Sequence, residues 1–280
     1  MINKINKILS LLKNYRKIKD LSNELLLDKQ LCDVLTAYNI SSLPVITVEE
    51  FSKYFINDLD NSSINILTDF SQGISPVNDY YFLCKIAEVR KIKTYFEIGT
   101  WIGLSAYNIV HNLGSNVEVY TLDLPYDHPE IKFYNIPLNI LGHYCKGFTN
   151  IHCLKDDSKN FDFIAFEGKI DLVFIDGNHS FEYVKNDTQK SLKLLKNDNS
   201  IIVWHDYLLN GEPNRKVLCG ILDAIPANKH KHLYHLDQSN LAMYSESFNF
   251  TSSSLLQWHI PKTNFAVNFK INHLLKSHDL

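Results

Sequence analysis

The sequence predicts a doubly wound α/β domain, and three observations predict it. From Asp79 onward short apolar runs alternate with helical segments, five of these runs end in or beside an acid, and the last two runs lie too close together for a helical crossover. Strands separated by helices make βαβ units, hence a parallel sheet covered on both faces. The closing pair must be an antiparallel hairpin, so the expected sheet has seven strands with an antiparallel last one.

The chain has 280 residues, enough for one full-sized core with extensions, and its 45% hydrophobic and 21% charged content is that of a globular protein. A formal net charge of −3 gives no global electrostatic reason for a nucleic-acid partner. Five scattered cysteines without a C-x-x-C pair suggest neither a disulfide framework nor a zinc ribbon; reduced thiols in a cytoplasmic protein are expected. No apolar run approaches the roughly 20 residues of a transmembrane helix, and the N-terminus lacks the pattern of a signal peptide.

Residues 1–74 read as a helical N-terminal extension. In 2–31, Ile5, Ile8, Leu9, Leu12, Tyr15 and Ile18 fall at helical spacing with lysines and Arg16 between them, an amphipathic basic helix. It is read as packed on the main domain with a solvated lysine face; pairing with a second copy of the chain, as a homodimer, and contact with an anionic membrane surface stay open. Residues 32–75 suggest one or two more helices and a loop punctuated by Gly73, Ser75 and Pro76.

The α/β domain covers 75–246. DYYFLCKIAEVRK is a helix, TYFEI a strand, Ser105 to His111 a helix and VEVYTLD a strand. After the aromatic-rich insertion HPEIKFYNIPLNILGHYCKGF come the strands NIHCLK and IDLVFID, the helix FEYVKNDTQKSLKLLK and the strand SIIVWHD. HLYHLD and LAMYS, separated only by Gln238, Ser239 and Asn240, form the hairpin, and 247–280 is a Phe- and Ser-rich tail.

In an open parallel sheet, ligands bind beyond the carboxyl ends of the strands. There stand Glu97 with the loop Gly99 to Gly103, then Asp123, then Asp156, Asp157 and Ser158, then Asp176 to His179, and finally His205 with Asp206. Carboxylates are poor core residues, so packing alone does not call for acids at every strand end. The loop E-I-G-T-W-I-G has Thr100 and Trp101 where a dinucleotide fingerprint needs glycine, and no G-K-[ST] follows. It suits instead a cofactor with one carboxylate and one ammonium group. Asp123 is placed for ribose hydroxyls, and Asp157 and Ser158 for an adenine amino group.

On YFEIGTWIGLSA, VYTLDLP, LKDDS, DLVFIDGNHSFEYVKNDTQKSLKLLK and IIVWHDY, the chain resembles the class I S-adenosylmethionine-dependent methyltransferases, which have a Rossmann-like fold. The last two segments resemble the branch that includes small-molecule and sugar O-methyltransferases. The resemblance implies that Glu97, Gly99, Thr100 and Gly103 hold the methionine portion and Asp123 the ribose, with Asp157, Ser158 and Asp176 completing the cofactor site. It also implies a divalent cation, Mg²⁺ or Mn²⁺, on Asp176, His205 and Asp206. His205 departs from the oxygen ligands that Mg²⁺ prefers, and admits Mn²⁺, Fe²⁺, Zn²⁺ or no metal. Asn178 stands where sugar-modifying relatives often carry a second acid.

The implied reaction methylates a hydroxyl of a sugar or other small polar metabolite, with His179, His205 and Asp176 as the catalytic set. His179 and His205 are the candidate general bases. An NAD-type oxidoreductase and a non-catalytic module on the same fold are the alternatives. His230, His232 and His235, alternating along an apparent strand, are read as structural.

Overall fold

The apolar run Leu172–Ile175 sets the pattern for the sheet: all four side chains are buried, Leu172 and Phe174 in one core and Val173 and Ile175 in the other. A strand with that alternation needs cover on both faces. The computed structural model describes residues 2–55, 63–68, 76–133, 137–248 and 250. In chain order the elements are α1 (Ile2–Tyr38), β1 (Val45–Ile46), α2 (Val48–Phe55), α3 (Val77–Val89), β2 (Thr94–Ile98), α4 (Leu104–Leu113), β3 (Glu118–Asp123), α5 (Pro129–Phe133) and β4 (Ile151–Lys155). There follow β5 (Leu172–Ile175), α6 (Phe181–Leu194), β6 (Ile201–Trp204), β7 (Leu208–Leu209), β8 (Glu212–Pro213), α7 (Arg215–Ala224), β9 (Leu233–Leu236) and β10 (Ala242–Tyr244).

Eight strands form the main sheet in the order β1-β9-β10-β6-β5-β2-β3-β4. Its pairs are parallel except at β10, which lies antiparallel between β6 and β9, with Met243 opposite Val203 and Tyr234. Seven of these strands are the expected ones, and the reversed last strand is where the hairpin spacing put it. The eighth, β1, comes from the segment read as helix and loop: Val45 and Ile46 pair with His235 and Leu236. Two residues are too few to carry a period of two, so the pattern was silent there. His230 and His232 are not in a strand either. They sit in the 3₁₀ turn Ala227–His232, where the His230 ring caps the carbonyls of Leu222 and Ile225, and His235 alone is in β9.

One core joins the sheet to α2, α3 and α4 through Phe51, Phe82, Ile86, Ile109, Tyr95 and Phe174. The other joins it to α6, α7 and the end of α1 through Leu31, Val34, Val184, Leu218, Phe96 and Trp204. The Trp204 indole keeps a partner in that core by donating to Thr188 Oγ1 at 2.8 Å. The side chains of the basic face expected on Lys4 to Lys17, the punctuation at Gly73 and Ser75, and the tail from 251 lie outside the described residues. Among the described residues no helix is long and apolar enough to cross a membrane.

Helices α6 and α7 cross where α7 has a glycine. A Cβ on Gly220 would stand 2.8 Å from Val184 Cβ and 3.0 Å from the Phe181 carbonyl oxygen. Gly220→Val should therefore destabilise the fold by about 1–3 kcal/mol, the usual cost of overpacking. Urea unfolding checks this, and an unchanged midpoint would mean that the crossing is looser than described.

Candidate active site

The chain runs from β2 outward to β3 and β4, then returns to place β5 on the other side of β2, so strand order reverses between β2 and β5. A crevice opens at the carboxyl ends of such a pair. Here the two loops nearly touch: a Cβ on Gly99, whose φ is 107°, would lie 2.1 Å from the Asp176 carbonyl oxygen. Gly99 N–H donates to the Leu122 carbonyl at 2.8 Å and Asp176 N–H to that of Ile98 at 2.8 Å, which ties the three strand ends together.

Beneath the loop lies Glu97, wholly buried. Tyr95 OH donates to its Oε2 at 2.9 Å and Thr121 Oγ1 to its Oε1 at 2.7 Å, while Thr100 Oγ1 meets Thr121 Oγ1 at 2.7 Å. Burial pushes its pKa up to about 8, against the hydrogen bonds from Ser105, Thr121 and Tyr95. Glu97 lines neither of the cavities described next, so its contact with the loop runs through Thr121 and Thr100.

A cavity of about 800 Å³ follows the ends of β2 to β5, lined by Gly99, Trp101, Asp123, Asp156, Asp157, Ser158, Asp176 and His179. Asp123 is fixed by two backbone donors, Trp101 N–H at 2.9 Å and Leu124 N–H at 2.8 Å, and burial still raises its pKa against the nearby Lys155. Asp157 accepts from Lys159 N–H at 2.9 Å and Tyr183 OH at 3.1 Å. The cavity also takes in Tyr183 and Asp187, one turn apart on α6. Burial lifts the Asp187 carboxyl to about 6 despite hydrogen bonds from Ser158 and Asn186.

A second cavity, of about 440 Å³, lies over the start of α4 and the end of β6, lined by Tyr80, Thr100, Ser105, His205, Asp206 and Asn240. It shares Gly99, Trp101, Asp176, Gly177 and His179 with the first. At this junction His179 Nδ1 pairs with Asp206 Oδ2 at 2.9 Å, its side chain half exposed. That hydrogen bond, opposed by burial, raises the His179 pKa above the usual histidine value. The partnership works the other way on Asp206: burial would raise its carboxyl, but His179 and His205 hold it well below the usual carboxylate range.

His205 is enclosed, with 9% of its side chain exposed. Its Nε2 meets Asp79 Oδ2 at 3.0 Å, and its Nδ1 stands 3.1 Å from both Asp176 Oδ1 and Asp206 Oδ1, off the line that a hydrogen bond needs. Burial pulls its pKa down, yet Asp176, Asp206 and Asp79 together hold it well above the usual value. Asp79 itself, buried on α3, also accepts from Asn240 N–H at 3.0 Å.

Of the sequence-predicted residues, Gly99, Asp123, Asp157, Ser158, Asp176 and His179 line the first cavity, and Thr100, His205 and Asp206 line the second. Gly103 begins α4 with φ 87° and is packed on Cys145, and Asn178 accepts from Ser180 N–H at 2.9 Å as a turn residue. For a cation, ligand atoms of Asp176, His179 and Asp206 converge within 4.8 Å, and Nδ1 of His205, the histidine expected from the sequence, stands 3.1 Å from the same two carboxylates. Sequence reasoning missed Asp79, Tyr183 and Asp187. The last two sit at i and i+4 beside a strand end, which was a usable signal. Asp79 looked like an ordinary first-turn acid.

Two measurements test these electrostatics. Between pH 4.5 and about 8 an unfolded chain ionises Glu97 while the folded chain keeps it protonated, so this residue makes stability fall as pH rises through that window. Glu97→Gln should accordingly gain on the wild type from pH 5 to pH 8 in urea unfolding; a constant difference would contradict the burial argument. Asp206→Asn should lower the His179 pKa toward 6.5, followed by NMR of the ring protons.

Residues 96–207 match a family model described as a methyltransferase domain. No curated protein matches the sequence. Among solved structures, the chain is similar to the S-adenosylhomocysteine-bound methyltransferase PaMTH1 of Podospora anserina, with 19% identity over 61% of this chain and 79% of that one and a TM-score of 0.42. A putative caffeoyl-CoA O-methyltransferase from Staphylococcus aureus shows 15% identity over 61% and 84%, TM-score 0.43. The O-methyltransferase TomG of Streptomyces achromogenes, in complex with S-adenosylmethionine, shows 14% over 61% and 81%, TM-score 0.44. The stretch that matches the family model runs from the strand bearing Glu97 to just past Asp206, and so holds both loops that meet at Gly99 and Asp176.

Proposed function

We propose that the chain is an S-adenosylmethionine-dependent methyltransferase acting on a hydroxyl of a small polar metabolite. The observation that carries the reading is the junction of the two cavities: one is lined by strand-end acids and the glycine loop, the other meets it at the His179–Asp206 pair. The donor set fits such a cofactor. Asp123 would accept from ribose hydroxyls, Asp157 and Ser158 would receive the adenine end, and the loop Gly99 to Gly103 with Asp176 would hold the charged amino-acid end. When bound, the cofactor supplies an electrophilic methyl group on a sulfonium.

The protein's own contribution is alignment and one proton. His179, held through Nδ1 by Asp206, presents its other nitrogen to an acceptor hydroxyl and takes its proton as the nucleophile attacks. His205 cannot do so as readily, because Asp79 holds its Nε2 and carboxylates flank its Nδ1; it serves as a buried positive charge that keeps Asp176 and Asp206 together. A second reading rests on the convergence of Asp176, His179 and Asp206: a divalent cation there would lower the acceptor's pKa in place of the base. With one imidazole among two carboxylates, the set suits Mn²⁺ better than Mg²⁺.

Calorimetry with S-adenosylhomocysteine and with NAD decides the cofactor: binding of the first and none of the second is expected, and the reverse result would overturn the proposal. In a labelled methyl-transfer assay with a metabolite extract, His179→Ala should lower the rate by about 10²–10⁴-fold, the usual contribution of a general base. Dialysis against EDTA in the same assay separates the two readings, since only the cation reading loses activity.

A further inference from the structure

Cys145 and Cys153 flank the short connection that leads from the 3₁₀ turn His143–Cys145 into β4. Cys153 leaves β4 on an exposed side, and Cys145 is buried at the end of the 3₁₀ turn His143–Cys145. The two thiols line one small cavity of about 150 Å³, with Lys146, Lys155 and Tyr126 around it, and the Cys153 sulfur would stand 4.0 Å from a Cβ on Gly142, in the turn that carries Cys145. The neighbouring Cys145 thiol, opposed by burial and helped by Lys155 and His152, lowers the Cys153 thiol to about 7. The Cys153 neighbour and then burial raise the Cys145 thiol. An exposed low-pKa thiol beside a buried partner is the arrangement of an attacking and a resolving cysteine.

The buried partner is attached to the glycine loop. Gly142 N–H donates to the Trp101 carbonyl at 2.7 Å, Tyr144 N–H to that of Ile102 at 2.9 Å, and Cys145 Sγ lies 4.0 Å from the Gly103 oxygen. A Cβ on Gly103 would stand 2.4 Å from that sulfur, so the sulfur has no room to move toward the loop. Drawing Cys145 toward Cys153 therefore pulls on the turn that braces residues 101–103.

We propose that Cys153 and Cys145 form a hydroperoxide-reactive dithiol site whose oxidation to a disulfide loosens the glycine loop. The Cys153 thiolate attacks a peroxide oxygen; the S–O bond forms, the O–O bond breaks and, with a proton, the first water leaves. The Cys145 sulfur then attacks the resulting sulfenic acid, forming the S–S bond and breaking the S–O bond, while its proton leaves with the departing hydroxide as a second water. Two thiols are oxidised and one peroxide is reduced. The effect on a methyl donor rests on the proposed function; the disulfide and the loop do not.

The test treats the full chain with hydrogen peroxide, then maps disulfides by non-reducing peptide mass spectrometry and follows hydrogen–deuterium exchange of the loop. Expected are a Cys145–Cys153 link about 2 Da lighter than the two thiols and reversed by dithiothreitol, and loop amides at 99–104 exchanging about tenfold faster. Cys153→Ser, an exposed and conservative change, should show neither. A link absent or spread over Cys32, Cys84 and Cys219, or a link that leaves the loop exchange unchanged, would overturn the proposal. Neither readout needs a methyl donor, so failure of the methyltransferase reading would be seen separately in the calorimetry.

Discussion

The contact on which the site depends is the one between Gly99 and the Asp176 carbonyl, where no side chain fits. Because β2 and β5 lie side by side with their loops leaving in opposite directions, the chain must either splay the loops or bring two backbones into contact. Glycine at 99 permits the contact. The positive φ there also turns the loop back over Glu97, so that Trp101 N–H reaches Asp123 at the end of the next strand. Asp123, Asp176 and His179 border one crevice for this reason, though they are far apart in sequence.

A crevice assembled from strand ends that all carry acids has a charge problem, and the histidines answer it. Asp79, Asp176 and Asp206 approach His205 from three directions, and Asp206 is shared with His179. A neutral His205 would leave these carboxylates repelling one another in a buried place, so the lowest-energy state keeps its positive charge among them, and His179 is left to exchange a proton. At Glu97 and Asp187, burial outweighs the hydrogen bonds that the carboxyls accept. Their carboxyls rise to about 8 and about 6, toward the neutral form. The Asp206 carboxyl is thus held below its usual range by the histidines, whereas burial raises those of Glu97 and Asp187.

The sheet was legible because its strands alternate with helices and because three residues are too few to cross over between HLYHLD and LAMYS. The strand-end acids were legible for the same reason, since locating a strand locates its carboxyl end. Burial was less so: the sequence puts Glu97 at the rim, but its place as the alternate residue before the turn aims it under the loop, toward Thr121. Asp79 was hidden because its partners, His205 and Asn240, are more than 120 residues away, and nothing local distinguishes it from a helix-start acid. β1 escaped for want of length, and the presence of His179 among the converging ligand atoms depends on a ring orientation that no spacing encodes.

The glycine loop itself has no regular structure, yet its backbone is held on every side. Gly99 N–H is bound to β3, Trp101 N–H to Asp123, and the carbonyls of Trp101 and Ile102 accept from Gly142 and Tyr144. Half of that support comes from the segment between β3 and β4, which adds nothing to the order of the strands. A loop that must meet a ligand with backbone groups gains from being rigid before the ligand arrives, because ordering it on binding would cost about 1–2 kcal/mol for each residue fixed. The insertion therefore does more than lengthen a connection: residues 142–145 keep the glycine turn in its strained conformation, and the fold gives to this turn a task that the sheet alone leaves undone.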